Sequence, residues 1–200
     1  IVLDNPNNIE LKEYISNIAT RNAKIVFLVN EVNLGLPKTL NKAIDHCRGN
    51  YIARMDADDI CYEQRLEKQY TYLINNPGID LIGCNIEKID ESGKLIGDMF
   101  SRPLKHKSIM KFLKHSQPIC HPTWMGKKEV FKKLRYNTLL GVEDMDFLCR
   151  AVLNKFKLAN LPDKLLKYRV RSTSISKSNS LRQLVCTKYI AKMYVNALEN

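Results

Sequence analysis

Three aspartates follow a predicted strand closely enough to act together. Asp56, Asp58 and Asp59 come directly after the apolar-rich run at residues 51–55. Alternate carboxylates at a strand end can share a hard divalent cation and leave coordination positions for water and phosphate oxygens. The alternative is a turn whose aspartates cap the next helix, a role that we predict for Asp59. Because three acids at one buried strand end repel each other, the pattern also predicts a compensating cation nearby.

A second acidic group, formed by Glu143, Asp144 and Asp146, opens a helix predicted to continue to residue 153. Acids in a first helical turn favour the helix dipole, which is the ordinary interpretation. These three are nevertheless half of the six acids in residues 101–200, which contain 21 Lys and Arg. That positive charge predicts a low pKa for Asp144, whose ionised carboxylate would suit a general base for a hydroxyl group. Since successive helical residues differ by about 100°, Asp146 is expected to face away from Asp144.

Two further segments contain candidate binding residues. His121 and the single tryptophan, Trp124, are close together in the chain. Each has an ordinary alternative, as a structural histidine or a core tryptophan rather than part of a sugar-binding surface. Arg169 and Arg171 alternate on a predicted extended segment and therefore share one face, which is either solvated or a clamp for phosphate.

The charge distribution divides the 200-residue chain into two halves. Residues 1–100 contain 11 Lys and Arg against 15 Asp and Glu, whereas residues 101–200 contain 21 against six. The acidic half suggests a metal-binding or hydroxyl-binding site, and the basic half suggests an anionic partner. Nucleic acid, a phosphorylated ligand and an anionic membrane surface all agree with this charge.

Several classes of protein are excluded. No apolar run approaches the roughly 20 residues that span a bilayer. The six cysteines form no CxxC pair and no Cys/His cluster, which excludes a zinc ribbon and predicts free thiols in a reducing cytoplasm. Dinucleotide-binding, P-loop, nucleophile-elbow and H-E-x-x-H motifs are all absent from the sequence.

Alternating strand and helix patterns predict an α/β fold with a largely parallel sheet. Ligands bind at the carboxyl ends of strands in such sheets, which is where the first acidic group lies. The helix predicted at residues 63–75 is expected to turn Leu66, Tyr70, Leu73 and Ile74 inward. Strands are predicted at 26–29, 51–55, 81–89, 120–125 and 164–170, and further helices at 37–47, 129–134, 145–153 and 181–195, the last after a serine-rich segment at 172–180.

Taken in chain order, several segments resemble the family 2 glycosyltransferases, especially bacterial enzymes that build surface polysaccharides. The resemblance covers residues 1–175, and its most specific part is the R-M-D-A-D-D stretch at 54–59. The other matching segments are I-V-L-D-N at 1–5, N-L-G-L at 33–36, L-N-K-A-I at 40–44, R-L-E-K-Q at 65–69, C-H-P-T at 120–123 and E-D at 143–144.

The resemblance implies an A-type glycosyltransferase fold, in which helices flank a Rossmann-like, mostly parallel sheet. It implies a nucleotide-sugar-binding part at residues 1–100, an acceptor-binding part at 101–175, and a linker and helix at 176–200. Family members have a further strand and helix before the first matching segment. The sequence is therefore expected to be either an excerpt or a truncated remnant.

The resemblance also implies roles for single residues. Asp58 would bind Mg²⁺ or Mn²⁺, and Asp144 would be the catalytic base, supported by Glu143. The other residues would contact the substrates: Asp4, Asn33, Gly35, Asp56, Arg169 and Arg171 the nucleotide-sugar, and His121 and Trp124 the acceptor.

The function implied is metal-dependent, inverting transfer of a sugar from a nucleotide-diphosphate donor to a glycan or lipid-linked acceptor at the cytoplasmic face of the membrane. An inactive remnant or non-catalytic binding domain is the alternative. A nucleic-acid-binding module has only the charge in its favour, so no nucleic acid is expected as a partner. Basic residues around Ile109, Phe112 and Leu113, and on the final helix, predict contact with an anionic membrane.

Overall fold

Two β-sheets with flanking helices form the computed structural model, which describes residues 1–98, 101–138, 141–171 and 180–199. The described strands are β1 (Val2–Leu3), β2 (Leu28–Val29), β3 (Tyr51–Ala53), β4 (Ile60–Cys61), β5 (Leu81–Ile89), β6 (Leu95–Asp98), β7 (Met125–Lys127) and β8 (Leu158–Arg169). The described helices are α1 (Ile9–Arg21), α2 (Leu36–His46), α3 (Arg65–Asn75), α4 (His106–Leu113), α5 (Lys128–Leu134), α6 (Glu143–Leu153) and α7 (Ser180–Glu199). This confirms the predicted α/β class. Most of the predicted serine-rich segment lies outside the described residues.

The larger sheet is built around the two longest strands, β5 and β8. They run parallel from the pair Leu81 and Leu158 to the pair Ile89 and Arg169. The strand order is β3-β7-β5-β8-β4, with β6 also paired to β5, and these other pairs are antiparallel. β1 and β2 form a separate parallel pair. The sheet is therefore mixed rather than mostly parallel, because a tight turn folds β6 back on β5 and the chain enters β7 in the reverse direction.

The larger sheet joins both predicted parts of the chain, since its strands come alternately from residues 1–100 and 101–175. The central strand β5 packs closely at Gly83. A Cβ atom there would lie 2.2 Å from Ile119 Cγ2 and 2.8 Å from both Asn160 Oδ1 and Thr123 Oγ1. Glycine is therefore the residue that fits. The assignment of donor and acceptor to separate parts stays a prediction.

Helix α6 lies in the main hydrophobic core. Its Met145, Phe147 and Leu148 are buried, and the Phe147 ring lies 5.3 Å from the Trp124 ring and 5.6 Å from the Phe131 ring, measured between centroids. Because Glu143 and Asp144 begin the same helix, this packing fixes the position of the second acidic group.

Helix α3 agrees with its predicted orientation at one of the four predicted inward positions, Leu73, which is fully buried. Leu66, Tyr70 and Ile74 are each about half exposed, whereas Arg65 and Gln69 are buried. Arg65 Nε donates to Gln69 Oε1 at 3.0 Å, and Gln69 Nε2 donates to a backbone carbonyl at 2.8 Å. Burial of this polar face is acceptable because its groups are hydrogen-bonded.

Two other segments differ from the sequence-based prediction. α1 is missing from the predicted elements, because none of its residues is buried and its apolar pattern is correspondingly weak. The strand predicted at 120–125 is wrong: His121–Thr123 form a 3₁₀ turn, and β7 begins at Met125. Pro122 favours the turn, since proline has no N–H to donate to a sheet.

Helices α4 and α7 expose different surfaces. Ile109 and Leu113 of α4 are fully buried, so the apolar side predicted to meet a membrane is part of the core. α7 instead exposes Leu181, Val185 and Tyr189. Among the described residues, no helix is both long enough and apolar enough to cross a membrane.

Candidate active site

The acidic loop, residues 56–59, connects β3 to β4 and has its own positive partners. Asp56 forms an ion pair with Arg54, which lies just before the loop. Asp58 Oδ2 lies 2.9 Å from Arg171 Nε. Burial raises the pKa of Asp56, and the charge of Arg54 opposes that rise. The compensating cations that the sequence predicted are therefore present.

Asp59, the last residue of the loop, is buried and does not cap a helix. Its Oδ1 accepts a hydrogen bond of 2.9 Å from the backbone N–H of Arg169, and its Oδ2 has no partner among the described residues. Burial raises the pKa of Asp59 to about 6, and the charges of the other two aspartates add to this rise. The predicted capping role is wrong because β4 intervenes and Gln64 is the N-cap of α3.

Arg169 and Arg171 reach the acidic loop from the end of β8. Arg169 Nε donates to the carbonyl oxygen of Asp58 at 2.8 Å, and its Nη1 donates to the carbonyl oxygens of Asp90 and Glu91, each at 2.9 Å. Since both arginines contact Asp58, the prediction that they share one face is confirmed. Phosphate binding by either stays a prediction. They line a polar cavity of about 670 Å³ together with Ala57, Asp58, Asp59, Glu91 and Ser92.

Asp4 follows β1 directly and organises the loop before α2. Its carboxylate accepts hydrogen bonds from the N–H groups of Leu34 (2.8 Å) and Gly35 (3.0 Å) and from Asn30 Nδ2 (2.7 Å). Partial burial opposes ionisation, but these hydrogen bonds lower the pKa of Asp4. Asn33 Oδ1 also accepts from Gly35, whose φ of 77° favours glycine. The structure brings Asp4, Asn33 and Gly35 together, and their contact with a nucleotide stays a prediction.

His121 and Trp124 belong to a buried aromatic group that includes Tyr136. Trp124 is fully buried, and its Nε1 donates to the carbonyl oxygen of Ile119 at 3.2 Å. This is the core role that the sequence left open, and the structure does not support direct contact between Trp124 and an acceptor. His121 Nε2 lies 3.0 Å from Tyr136 Oη. Burial lowers the pKa of His121 well below its usual value, and the charge of Arg54 adds to this effect, so the imidazole is neutral at pH 7.

Asp144 is half-buried at the start of α6. Its Oδ1 accepts a hydrogen bond from the Met145 N–H at 2.7 Å, and its Oδ2 accepts one from Gln117 Nε2. Burial raises the pKa of Asp144 to about 6, and the charge of Glu143 adds to the rise. The prediction of a low pKa is therefore wrong, because desolvation outweighs the helix dipole and the surrounding cations. A pKa near neutrality still suits a general base.

Asp146 faces away from Asp144, as the helical geometry predicted. Its Oδ2 accepts hydrogen bonds from Asn137 Nδ2 at 3.0 Å and from Arg150 Nε at 2.8 Å. Asp146 therefore forms a structural ion pair with Arg150. Glu143 and Asp144 are the acids of this turn that remain for chemistry.

Comparison with known families identifies the group to which this arrangement belongs. Residues 1–135 match the family described as glycosyl transferase family 2. The chain belongs to glycosyltransferase family 2.

Three curated glycosyltransferases illustrate the similarity of this family 2 member to known proteins. An uncharacterized glycosyltransferase of Methanocaldococcus jannaschii is 37% identical over 195 residues, which are 97% of this chain and 67% of that protein. The amylovoran biosynthesis glycosyltransferase AmsE of Erwinia amylovora is 35% identical over 88% of this chain and 66% of its own length. The O-antigen biosynthesis glycosyltransferase WbnJ of Escherichia coli is 36% identical over 78% of this chain and 61% of its own length. The chain spans about two thirds of the length of these relatives.

Solved structures support the same fold. The chain superposes on S. aureus TarS 1–349 in complex with UDP-GlcNAc with a TM-score of 0.69 and 15% identity, over 98% of this chain and 62% of TarS 1–349. The complex of TarS 1–349 with UDP superposes with a TM-score of 0.65 and 16% identity, over 98% of this chain and 60% of TarS 1–349. This similarity confirms the A-type glycosyltransferase fold.

Three polar residues of the candidate site had no role in the sequence-based prediction: Arg54, Gln117 and Tyr136. The role of Arg54 could have been recognised from the sequence, since a charged residue near the end of an otherwise apolar strand needs a partner. The roles of Gln117 and Tyr136 could not, because only tertiary contacts bring these residues to the site. Asn41 of α2 fixes Tyr136 by exchanging two hydrogen bonds of 2.9 Å with its backbone.

The structure bears on two further predictions, that the cysteines are free thiols and that a metal ion binds at the acidic loop. All six cysteines are free thiols, as predicted. Within residues 1–98, 101–138, 141–171 and 180–199, no three His, Cys, Asp or Glu side chains are grouped as a metal ion would require. A cation at Asp58 would therefore need oxygen ligands from a substrate or from water.

The raised pKa of Asp144 predicts how this residue affects stability. Between about pH 4 and pH 6 the folded protein binds more protons than the unfolded chain, so Asp144 makes stability fall as pH rises through this window. Relative to wild type, Asp144→Asn should therefore become more stable by about 1–2 kcal/mol between about pH 4 and pH 7.5, allowing for solvent screening. Urea unfolding at both pH values measures this change. Asp146→Asn, which breaks the pair with Arg150, is the control and should show no such gain. A difference between Asp144→Asn and wild type that does not vary with pH would contradict the prediction.

Proposed function

We propose that this chain transfers a sugar from a nucleotide-diphosphate donor to a hydroxyl group of a glycan or lipid-linked acceptor during synthesis of a surface polysaccharide. The observation that carries the proposal is the presence of two carboxylate centres with different environments. The acidic loop lies beside arginines in an open polar cavity, whereas Asp144 is half-buried with a pKa of about 6. Family membership, the printed functions of AmsE and WbnJ, and the UDP-GlcNAc bound by TarS support this assignment.

In this mechanism Asp144 is the general base. Its carboxylate accepts the proton of the acceptor hydroxyl while the hydroxyl oxygen forms a bond to the anomeric carbon of the donor sugar. The bond between that carbon and the diphosphate oxygen breaks, and its electron pair leaves with the nucleoside diphosphate. Attack opposite the leaving group inverts the anomeric centre. A base with a pKa just below neutrality is ionised at pH 7 and still basic enough to take the proton. Glu143 supports it, since its negative charge helps to keep that pKa high.

The test is to replace Asp144 and to measure transfer and donor binding separately. Asp144→Asn should lower the rate of sugar transfer by about 10²–10⁴-fold while the affinity for the donor stays near normal. The wild-type rate should fall as pH drops below about 6, because the base becomes protonated. Asp146→Asn, which changes the acid on the opposite side of α6, is the matched control and should keep most of its activity.

Two results would contradict this assignment. If Asp144→Asn is active and Glu143→Gln is not, the base is Glu143. If the wild-type protein never transfers sugar from any nucleotide-sugar to a lipid-linked acceptor, the non-catalytic alternative is correct.

A divalent cation, Mg²⁺ or Mn²⁺, fits the acidic loop as a cofactor. Asp58 lines the cavity, and the unpartnered, buried Oδ2 of Asp59 lies in the same loop, so hard oxygen atoms are available. Asp58 would hold the cation, which would neutralise charge on the leaving diphosphate. Arg171 occupies Asp58 Oδ2 at 2.9 Å, and a cation must therefore displace it. Arg169 and the freed Arg171 would then face the diphosphate, and Asp56 would face the ribose. The nucleoside would be contacted by Asp4, Asn33 and Gly35. His121 would support the acceptor side of the site.

Binding of Mn²⁺ and of UDP, followed by calorimetry, tests the metal assignment. Asp58→Asn should abolish the Mn²⁺ dependence of UDP binding. Arg171→Gln should instead strengthen Mn²⁺ binding in the absence of nucleotide, by about two- to fivefold, because it removes the competing cation. Asp98→Asn is a control, since Asp98 pairs with Lys164 on the surface. An unchanged Mn²⁺ dependence in Asp58→Asn would reject the site.

Peripheral contact with an anionic membrane is proposed for α7 alone. Its exposed Leu181, Val185, Tyr189 and Met193 recur every four residues, and the exposed Arg182, Lys188 and Lys192 lie beside them. Basic residues near an anionic surface contribute about 1 kcal/mol each.

Co-sedimentation with vesicles tests this contact. Lys188→Glu combined with Lys192→Glu should weaken binding to vesicles that contain anionic lipid, whereas Lys107→Glu on α4 should not. Equal binding of the wild type to neutral and anionic vesicles would reject the proposal.

A further inference from the structure

Arg54 has an unusual environment for a charged side chain. Its side chain is 7% exposed, and its Nη2 is used in the ion pair with Asp56. Its Nε and Nη1 are buried and have no hydrogen-bond partner among the described residues. Arginine remains charged under all ordinary conditions, and buried N–H groups without partners are rare and costly in folded proteins. These two donors therefore indicate that a partner is missing from the unliganded site.

The surrounding structure holds Arg54 firmly in this position. Its backbone N–H donates to the carbonyl oxygen of Trp124 at 2.8 Å, which joins it to β7 and the core. Its own carbonyl oxygen accepts a hydrogen bond of 2.7 Å from Arg65 Nη2, and Arg65 is in turn held by Gln69. This is the reason for the buried polar face of α3. The helix therefore positions the last part of β3 through hydrogen bonds, in addition to the contact between the Tyr70 and Tyr51 rings, whose centroids lie 5.5 Å apart.

Arg54 contacts the acidic loop through its ion pair with Asp56, and its backbone is hydrogen-bonded to Trp124 of the aromatic group. Burial raises the pKa of Asp59 and Asp144, and the charge of Arg54 opposes the rise in both. Burial also lowers the pKa of His121, and Arg54 adds to that effect. The charge of Arg54 therefore acts on the acidic loop, on the base and on His121. The Asp56 side chain beside it is 33% exposed, so solvent reaches the Asp56 side of the pair.

We infer that Arg54 binds the transferred sugar of the donor. This inference rests on the proposed function, in which the sugar must lie between the leaving diphosphate and the base that activates the acceptor. Hydroxyl and ring oxygens of the sugar would accept hydrogen bonds from Nε and Nη1 after the donor displaces the side chains that cover these atoms, while Nη2 keeps its contact with Asp56. The planar guanidinium can donate in two directions at once, which a lysine ammonium at the same position cannot reproduce. Arg54 is thus a specificity-determining residue for the sugar rather than for the nucleotide.

The inference predicts that loss of Arg54 affects nucleotide-sugars and free nucleotides differently. Calorimetry with Mn²⁺ present first measures how tightly the wild-type protein binds UDP, UDP-glucose, UDP-galactose and UDP-GlcNAc. The nucleotide-sugar with the highest affinity is then used to compare the variants. Arg54→Lys should weaken binding of that nucleotide-sugar by about tenfold or more, because two hydrogen bonds from a charged group are lost. Its affinity for UDP should stay within about twofold of wild type.

Arg150→Lys is the matched control for this measurement. Arg150 is also partly buried, but all three of its nitrogens have partners: Asp146 and the carbonyl oxygens of Leu134 and Arg135. This substitution should lower stability without changing the ratio of the two affinities. A second measurement needs no substitution: the ¹⁵Nε–¹H signal of Arg54 should shift when the nucleotide-sugar is added to the wild-type protein, and much less when UDP is added.

The outcomes separate this inference from the function on which it depends. Two results together would contradict the inference. The first is that Arg54→Lys weakens the binding of UDP and of the nucleotide-sugar equally, or weakens the binding of neither. The second is that the Arg54 signal responds equally to both ligands, and Arg54 would then compensate charge without binding the sugar. If the wild-type protein binds neither UDP nor GDP nor dTDP, and none of their sugar conjugates, the proposed function itself is wrong, and the inference fails with it.

Discussion

Electrostatic repulsion among Asp56, Asp58 and Asp59 is the constraint on which the rest of this structure depends. Three carboxylates within four residues cannot remain together at the end of a short strand unless positive groups approach them. The chain supplies those groups from two places, Arg54 on the same segment and the Arg169 and Arg171 pair more than 100 residues later. The second source requires β8 to be long and central. Its parallel register with β5, which ends by pairing Ile89 with Arg169, delivers the arginine to the loop and to the turn after β5.

A second consequence is that the polar side chains buried in the largely apolar interior hold neighbouring segments in position. Arg65 and Gln69 connect α3 to the end of β3 and to Thr123. Asn160 on β8 donates to the carbonyl oxygens of Pro103 and Pro118, which holds the segment that carries Gln117. Such groups are expensive to bury without partners, but once hydrogen-bonded they specify one arrangement. The catalytic candidates thus come from short loops whose positions are fixed by buried side chains of neighbouring helices and strands.

The sequence predicted those features that depend on local spacing, and it failed where tertiary environment decides. The grouping of Asp56, Asp58 and Asp59, their need for cations and the outward orientation of Asp146 all follow from periodicity and charge. The orientation of α3 follows only in part. Counting apolar residues assigned Leu73 to the core correctly, but it also assigned Leu66, Tyr70 and Ile74 there. The polar Arg65 and Gln69 are buried instead, because they have hydrogen-bond partners. The pKa of Asp144 failed for the same reason. Desolvation depends on what packs around the helix terminus, and neither Gln117 nor the burial of this turn can be recognised from residues 143–146.

The same burial that raises the pKa of Asp144 makes the site costly to maintain, and the core offsets this cost. At neutral pH both Asp59 and Asp144 are ionised against the effect of desolvation. Further exposure of Asp144 would require α6 to move, but Met145, Phe147 and Leu148 are buried on the same helix and would have to leave the core. Asp146 and its contact with Arg150 restrain the opposite side of the first turn. The base therefore keeps a pKa close to neutrality because hydrophobic packing prevents the carboxylate from relaxing into solvent. The balance between desolvation and core packing links the stability of this chain to the chemistry proposed for it.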